Sequence, residues 1–256
     1  MGPVLVTGAT GTLGRPVLQQ LLAGGADVRA LSRREQPPSE DVDWVRADLA
    51  EPAGSDGVLG GALEGVSTVV HCASDPLGGD VDAARNLIAA ARDAGVSHLV
   101  YISIVGVDRV PFPYYRTKYE VEQLLENSDL GVTILRATQF HDLVLGVMRG
   151  LSRLPLVPVP SGVDDQPVEV TEVAERLARL ALGDPAGRVP DLGGPLVHTF
   201  AELLVLYQRA SGVRRRALPF RLPGRTFRAF AEGGHLAPEH ADGAVTFRDF
   251  LAHRLP

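Results

Sequence analysis

Three glycines offer the first chemistry in this sequence. Thr7-Gly8-Ala9-Thr10-Gly11-Thr12-Leu13-Gly14 spaces Gly8, Gly11 and Gly14 evenly, directly after the apolar run Val4–Val6 and before a helical pattern near Leu13–Leu22. A strand-loop-helix of this kind binds pyrophosphate. Glycine lets the backbone approach the anion, and the helix N-terminus offers open N–H groups and partial positive charge. Thr10, Thr12 and Leu13 complete the loop, and Gly14 lets the helix pack on the strand. A dinucleotide cofactor is therefore expected. Its ribose should meet the end of the second apolar run, where an acid would select a free 2′-hydroxyl. The sequence has Ser32-Arg33-Arg34 there, two guanidinium groups that suit a 2′-phosphate. NADPH is thus expected over NADH. Asp48, after the third run, is expected near the adenine. Lys118 is the only lysine among the 25 basic residues. In so arginine-rich a chain, a retained lysine marks a position where a flat guanidinium does not serve.

Short apolar runs must position these residues. They fall at Val4–Val6, Val28–Leu31, Trp44–Arg46, Thr68–His71, Leu99–Ser103 and Val132–Leu135, with helical patterns at Leu13–Leu22, Val81–Ala94 and Tyr114–Leu125. This alternation predicts an α/β fold of Rossmann type, a doubly wound parallel sheet with right-handed crossovers. After Arg136 the pattern changes. Prolines at 155, 158 and 160 break the chain, a helix is expected near Thr171–Leu182 with Thr171 as N-cap and Gly183 just past its end, and another over Phe200–Ala210. The expected organisation is a nucleotide-binding core over residues 1–140 and a smaller C-terminal α/β substrate lobe over 141–256, forming one continuous globular unit.

Bulk properties narrow the classes. A net charge of −6 lacks the basic field of a general nucleic-acid binder. A single cysteine, Cys72, excludes an intrachain disulfide and fits a reducing setting. No apolar stretch approaches the ~20 residues of a membrane span. The first residues lack the basic and apolar segments of a secretory signal, so a cytoplasmic location is expected. The seven histidines do not fall at metal-ligand spacing, so no metal is expected. The expected partner is a small-molecule substrate. Oligomeric state, monomer or homodimer, is open.

The loop spacing resembles that of the atypical and extended short-chain dehydrogenase/reductases, and within them the NmrA-like, NAD(P)H-binding group. Supporting segments are His71-Cys72-Ala73-Ser74, Tyr101-Ile102-Ser103-Ile104-Val105-Gly106-Val107, Leu135-Arg136-Ala137-Thr138-Gln139-Phe140 and Leu192-Gly193-Gly194-Pro195. The resemblance implies that Cys72, Ala73, Ser74, Ser103, Lys118, Ala137 and Thr138 line the cofactor. It also implies a Ser-Tyr-Lys hydride chemistry. Tyr114-Tyr115-Arg116-Thr117-Lys118 matches the Tyr-x-x-x-Lys motif, with Tyr114 and Lys118 on one helical face. A carbonyl accepting hydride needs a proton; tyrosine can supply it once a nearby ammonium favours the phenolate, and the lysine can also bond the ribose. Ser103 would orient the reacting oxygen. Extended members carry an asparagine six residues before a second one. Asn86 matches the second, but Asp80 stands at the first, so the relay role of that position is not expected here.

Ile104, Phe112, Gln139, Phe140 and His141 are the expected substrate-side residues, because ligands enter an open sheet at the carboxyl ends of its strands. Arg214-Arg215-Arg216 reads as a solvated run or a contact for an acidic substrate. These residues point to an NADPH-dependent reductase acting on a carbonyl or another polarised double bond. Other readings stay open: a non-enzymatic NADP(H) sensor or protein-binding module, an isomerase, epimerase or dehydratase using the nucleotide transiently, and a quinone reductase.

Overall fold

A computed structural model describes residues 2–51, 57–75 and 78–255. The chain opens with β1 (Val4–Thr7), α1 (Gly14–Ala23), β2 (Val28–Ser32), β3 (Val42–Arg46), α2 (Val58–Leu63), β4 (Thr68–His71), α3 (Asp80–Asp93), β5 (His98–Ile104), α4 (Pro113–Glu126) and β6 (Gly131–Ala137). It continues with α5 (His141–Leu151), β7 (Leu156–Pro160), β8 (Asp164–Asp165), α6 (Val170–Ala181), β9 (Gly187–Arg188) and β10 (His198–Thr199). The last elements are α7 (Phe200–Ser211), β11 (Arg216–Phe220), α8 (Arg225–Ala231) and α9 (Phe247–Arg254).

Two compact units emerge, and neither is a single stretch of chain. The first comprises Met1–Ser103, Arg116–Leu135 and Val173–Val189; the second comprises Ile104–Tyr115, Arg136–Glu172 and Pro190–Pro256. The division therefore differs from one cut after residue 140. The amphipathic helix α6 explains much of the difference. Val173, Ala174, Leu177, Ala178 and Ala181 recur three and four apart and are all buried, and this stretch belongs with the first unit.

The first unit is built on a seven-stranded sheet in the order β3-β2-β1-β4-β5-β6-β9. β1 pairs in parallel with β2 and β4, β2 with β3, β4 with β5 and β6 with β9, and Val4 lies opposite both Val28 and Thr68. This is the expected Rossmann-type doubly wound arrangement. β1 and β4 are buried at every position, as strands covered on both faces must be. Leu5, Leu63, Leu87 and Leu99 form the middle of the core. α3 owes its hold to Ala84, Leu87, Ala90 and Ala91 on one stripe; Asp80 and Asp82 in its first turn and Arg92 in its last suit its dipole. Strand order reverses at β1, between β2 and β4. Such a switch point opens a crevice at the strands' carboxyl ends.

The second unit packs α5, α7 and α9 against β7, with Met148, Leu203, Leu204, Tyr207, Phe247 and Leu251 at the centre. α7 begins with a complete capping box between Thr199 and Glu202. β7 pairs in parallel with β11, and β8 runs antiparallel to β10. One end signal differs from expectation: Thr171 lies inside α6 and turns its hydroxyl to Glu169. Gly183 falls just past the end of α6, as expected, without a positive φ. Among the described residues no helix is long and apolar enough to cross a membrane.

Candidate nucleotide and reaction site

The glycine loop has the geometry a pyrophosphate needs. Gly8 sits at φ +65, and a Cβ there would lie 2.6 Å from the Ala73 nitrogen. A Cβ on Gly14 would drive into the Gly8 carbonyl oxygen, which is backbone and cannot rotate away. Gly11 N–H donates to that carbonyl at 2.9 Å, closing the turn. No side chain caps the start of α1. The loop is thus a cradle whose shape depends on absent side chains, with a helix N-terminus facing the anion. Thr7 fastens it to the next strand: its hydroxyl accepts from Ala73 N–H at 3.2 Å and lies 2.7 Å from His71 Nδ1. This fits a dinucleotide cofactor, whose phosphates Gly8, Thr10 and Gly11 would hold.

These residues line a cavity of about 290 Å3. At the end of β2, Ser32 organises the turn. Its hydroxyl donates to Arg34 O at 2.7 Å and accepts from Arg34 N–H and Gln36 Nε2. Arg33 is exposed and lines the cavity; Arg34 does not line it, although both are exposed. Asp48 also lines the cavity and accepts from Ala50 N–H, while Asn86 Nδ2 donates to Leu49 O at 2.8 Å and fixes that loop. Cys72, Ala73 and Ser74 form the wall above β4. Burial pushes the Cys72 thiol up to about 12, against the opposing pull of Lys118, so it is a neutral wall group rather than a nucleophile. Thr12, Leu13, Gly14, Ser103 and Lys118 are not among this cavity's lining residues.

Ser74, Asp75 and Asp80 of the cavity wall join Lys118 in a polar cluster. Lys118 Nζ is 3.5 Å from Asp80 Oδ2, and the two residues are only 3% and 5% exposed. Ser74 Oγ donates to Asp80 Oδ2 at 2.7 Å, and Asp75 N–H donates to Oδ1 at 2.5 Å. Lys118 also stands 5.1 Å from the centre of the Tyr101 ring, which stacks on His71. Burial draws the Lys118 pKa below the ordinary lysine value, and the Asp80 carboxylate opposes that fall. The expected lysine is therefore present, but as half of an ion pair and not as a solitary ammonium. Asp80, set aside in the sequence as a departure from the family asparagine, is the residue the sequence reading missed. The signal was a buried-side acid opening the helix after β4 in a chain with one lysine.

Ser103 is 2% exposed, and among the described residues its Oγ has no hydrogen-bond partner. Tyr114 is half-buried and shares α4 with Lys118 at the expected spacing. In the second unit, Tyr114 and Ile104 pack with Val107, Val110 and Tyr115. Tyr115 is buried, and its hydroxyl accepts from Gln139 Nε2 at 2.7 Å. Burial foremost, then the Asp165 charge, hold the Tyr115 phenol well above its usual value. Phe112 is 41% exposed and meets Tyr115 and Phe230 edge-on. Phe140 precedes α5 and bridges to Val168. Ala137 and Thr138 are buried; Ala137 O accepts from Val105 N–H and Thr138 Oγ1 from Gly194 N–H. His141 is fully buried between Phe247 and Phe250, with Nε2 against Val245 O; it packs as a core side chain and burial lowers its pKa.

A family model described as NAD(P)H-binding matches residues 8–179. The chain belongs to this NAD(P)H-binding family. The match opens at the first glycine of the cradle. The NAD(P)H binding that the resemblance of that loop implied is thereby borne out at the level of the family. A (4-alkanoyl-5-oxo-2,5-dihydrofuran-3-yl)methyl phosphate reductase of Streptomyces griseus is 31% identical over 216 residues, 82% of this chain and 74% of the relative. The chloroplastic protein High Chlorophyll Fluorescence Phenotype 244 of Arabidopsis thaliana is 31% identical over 230 residues, 82% of this chain. The chain spans only 55% of that relative's length. Among solved structures, an NADPH-dependent quinone oxidoreductase of Escherichia coli complexed with NADPH matches with a TM-score of 0.83 at 21% identity, covering 99% of this chain and 100% of that one. This likeness establishes the fold.

Proposed function

We propose that this chain is an NADPH-dependent reductase of a carbonyl, or of another polarised double bond, in a small organic molecule. The observation that carries the reading is the cavity at the switch point, where the glycine cradle and the exposed Arg33 guanidinium face one space. The reductases among its relatives and structural neighbours support it. Arg33, standing where an NAD site usually places an acid, favours a 2′-phosphate. When bound, NADPH supplies a hydride. The chain's own residues supply the proton and the positioning. Tyr114 Oη donates the proton to the reduced oxygen, Ser103 Oγ orients that oxygen by hydrogen bonding, and Lys118 contributes its fixed charge. The unpartnered Ser103 hydroxyl supports this assignment, since a buried hydroxyl without a partner is costly unless a ligand satisfies it.

A second reading, a nucleotide-bound module without turnover, draws support from the Lys118–Asp80 pair, because a neutralised ammonium does less to activate a phenol. Calorimetry with NADPH and NADH, joined to an NADPH-consumption assay on quinones and carbonyls, separates the two. Arg33→Ala is expected to weaken NADPH binding tenfold or more, ~1.5–3 kcal/mol, while leaving NADH binding little changed. Arg34→Ala, whose side chain lies off the cavity, is expected to have a smaller effect. Equal loss for both nucleotides refutes the 2′-phosphate assignment. Tight NADPH binding without consumption favours the second reading.

A further inference from the structure

We propose that Asp80 is the positioning residue for Lys118, holding its ammonium in place against the wall of the cavity that Asp80 lines. The inference deepens the reductase reading and rests on it. Asp80 lines the cavity, and Lys118 Nζ lies 3.5 Å from its carboxylate. The carboxylate is itself fixed from its own loop, by Ser74 Oγ–H on one oxygen and Asp75 N–H on the other. The Ser74 hydroxyl and the Lys118 ammonium share Oδ2, so all three groups are tied at one atom. Buried charges persist only when paired in this way.

The other groups facing Lys118 cannot take over this task equally. Cys72 and His71, at the end of β4, are held neutral by burial near neutral pH. Tyr101, from β5, offers a ring face. Glu122, one turn further along α4, is buried and is the other acid acting on Lys118, though more weakly than Asp80. Asp80, on α3, is tied both to Lys118 on α4 and to the loop after β4. The Tyr-x-x-x-Lys spacing sets where the lysine stem starts; Asp80 sets where its ammonium ends.

The test uses the one advantage of a single lysine. The full chain, labelled with 13C at lysine Cε, gives one lysine signal by NMR, and its pH titration reads Lys118 directly. Asp80→Asn is expected to lower the titration midpoint by about one unit or more, because burial is then less opposed. Glu122→Gln is expected to move it less. Ser74→Ala, which loosens the carboxylate but keeps it, is expected to produce a smaller downward shift and remains informative if Asp80→Asn does not fold. Asp80→Glu should recover part of the lost shift. The proposal is overturned by an unmoved midpoint in Asp80→Asn or, should that variant not fold, in Ser74→Ala, or by a Glu122→Gln shift as large as that of Asp80→Asn. The two failures look different: NADPH consumption decides the reductase reading, whereas the lysine signal decides the role of Asp80 and needs no substrate.

Discussion

Acid should weaken this fold through His71 in a way that can be isolated. His71 is 2% exposed, beside the Thr7 hydroxyl and stacked on Tyr101. Burial first, and the Lys118 charge second, hold its imidazole down from 6.5 to about 3. Its folded pKa therefore lies below its unfolded one. Between those values the unfolded chain takes up a proton that the folded chain refuses, so stability is lost as pH falls through this window. Going from about pH 7.5 to about pH 5 should cost about 2 kcal/mol from His71 alone, with a ceiling of ~5 kcal/mol at lower pH. The assay is urea unfolding at a series of pH values on wild type and His71→Asn, which keeps a polar group near Nδ1 but does not titrate. His98, His141, His198 and His235 are also lowered by burial, so both curves will slope. The difference between the curves isolates His71. Parallel curves for the two proteins would refute the argument, as would an imidazole signal that titrates in the folded protein near its ordinary value.

Asp165 should behave with the opposite sign. Burial raises its carboxyl to about 7, so the folded state pays for ionising it, and Asp165→Asn should stabilise the protein by up to ~4 kcal/mol at about pH 8, an advantage that fades as pH falls towards the ordinary carboxylate range. Urea unfolding at both pH extremes checks this, and a pH-independent effect would contradict it. Gly14→Ala should lower stability by at least ~2 kcal/mol and abolish nucleotide binding, because its Cβ meets the Gly8 carbonyl. A well-folded Gly14→Ala protein that binds NADPH normally would sink the cradle argument.

Much of the first unit was legible because its signals are local. An apolar run, a glycine loop and a helical stripe each occupy a few consecutive residues, and β1, β2, β4 and α1 fall where those patterns put them. The later strands were not legible for the same reason: β8, β9 and β10 are two residues long, too short to carry a period. α8 buries none of its residues, so it shows no stripe. α6 was visible as a helix, but its membership of the first unit is decided by packing that no spacing within 170–181 records.

The site divides along the same line. Gly8, Gly11 and Arg33 could be placed from their position after a strand. Arg33 and Arg34 could not be told apart, because the hydrogen bonds of Ser32 decide which side chain faces the cavity. The Asp80–Lys118 pair joins residues far apart in sequence on two helices, and only the successive crossovers onto one face of the sheet make them neighbours. His141 looked available at a helix start, yet Phe247 and Phe250, in the first turn of α9, enclose it.

The burial of Lys118 also changes how this molecule looks to chemistry from outside. It is the sequence's only lysine side chain, and it is shut inside with Asp80. The folded surface therefore offers no lysine to acylating enzymes, to isopeptide-forming ligases or to amine-reactive cross-linkers. Its positive charge is carried by guanidinium groups, which stay protonated at any pH a cell reaches. Labelling at that one amine would consequently serve as a sensor of opening: modification of Lys118 reports that the ion pair has parted, at whatever rate the native state breathes.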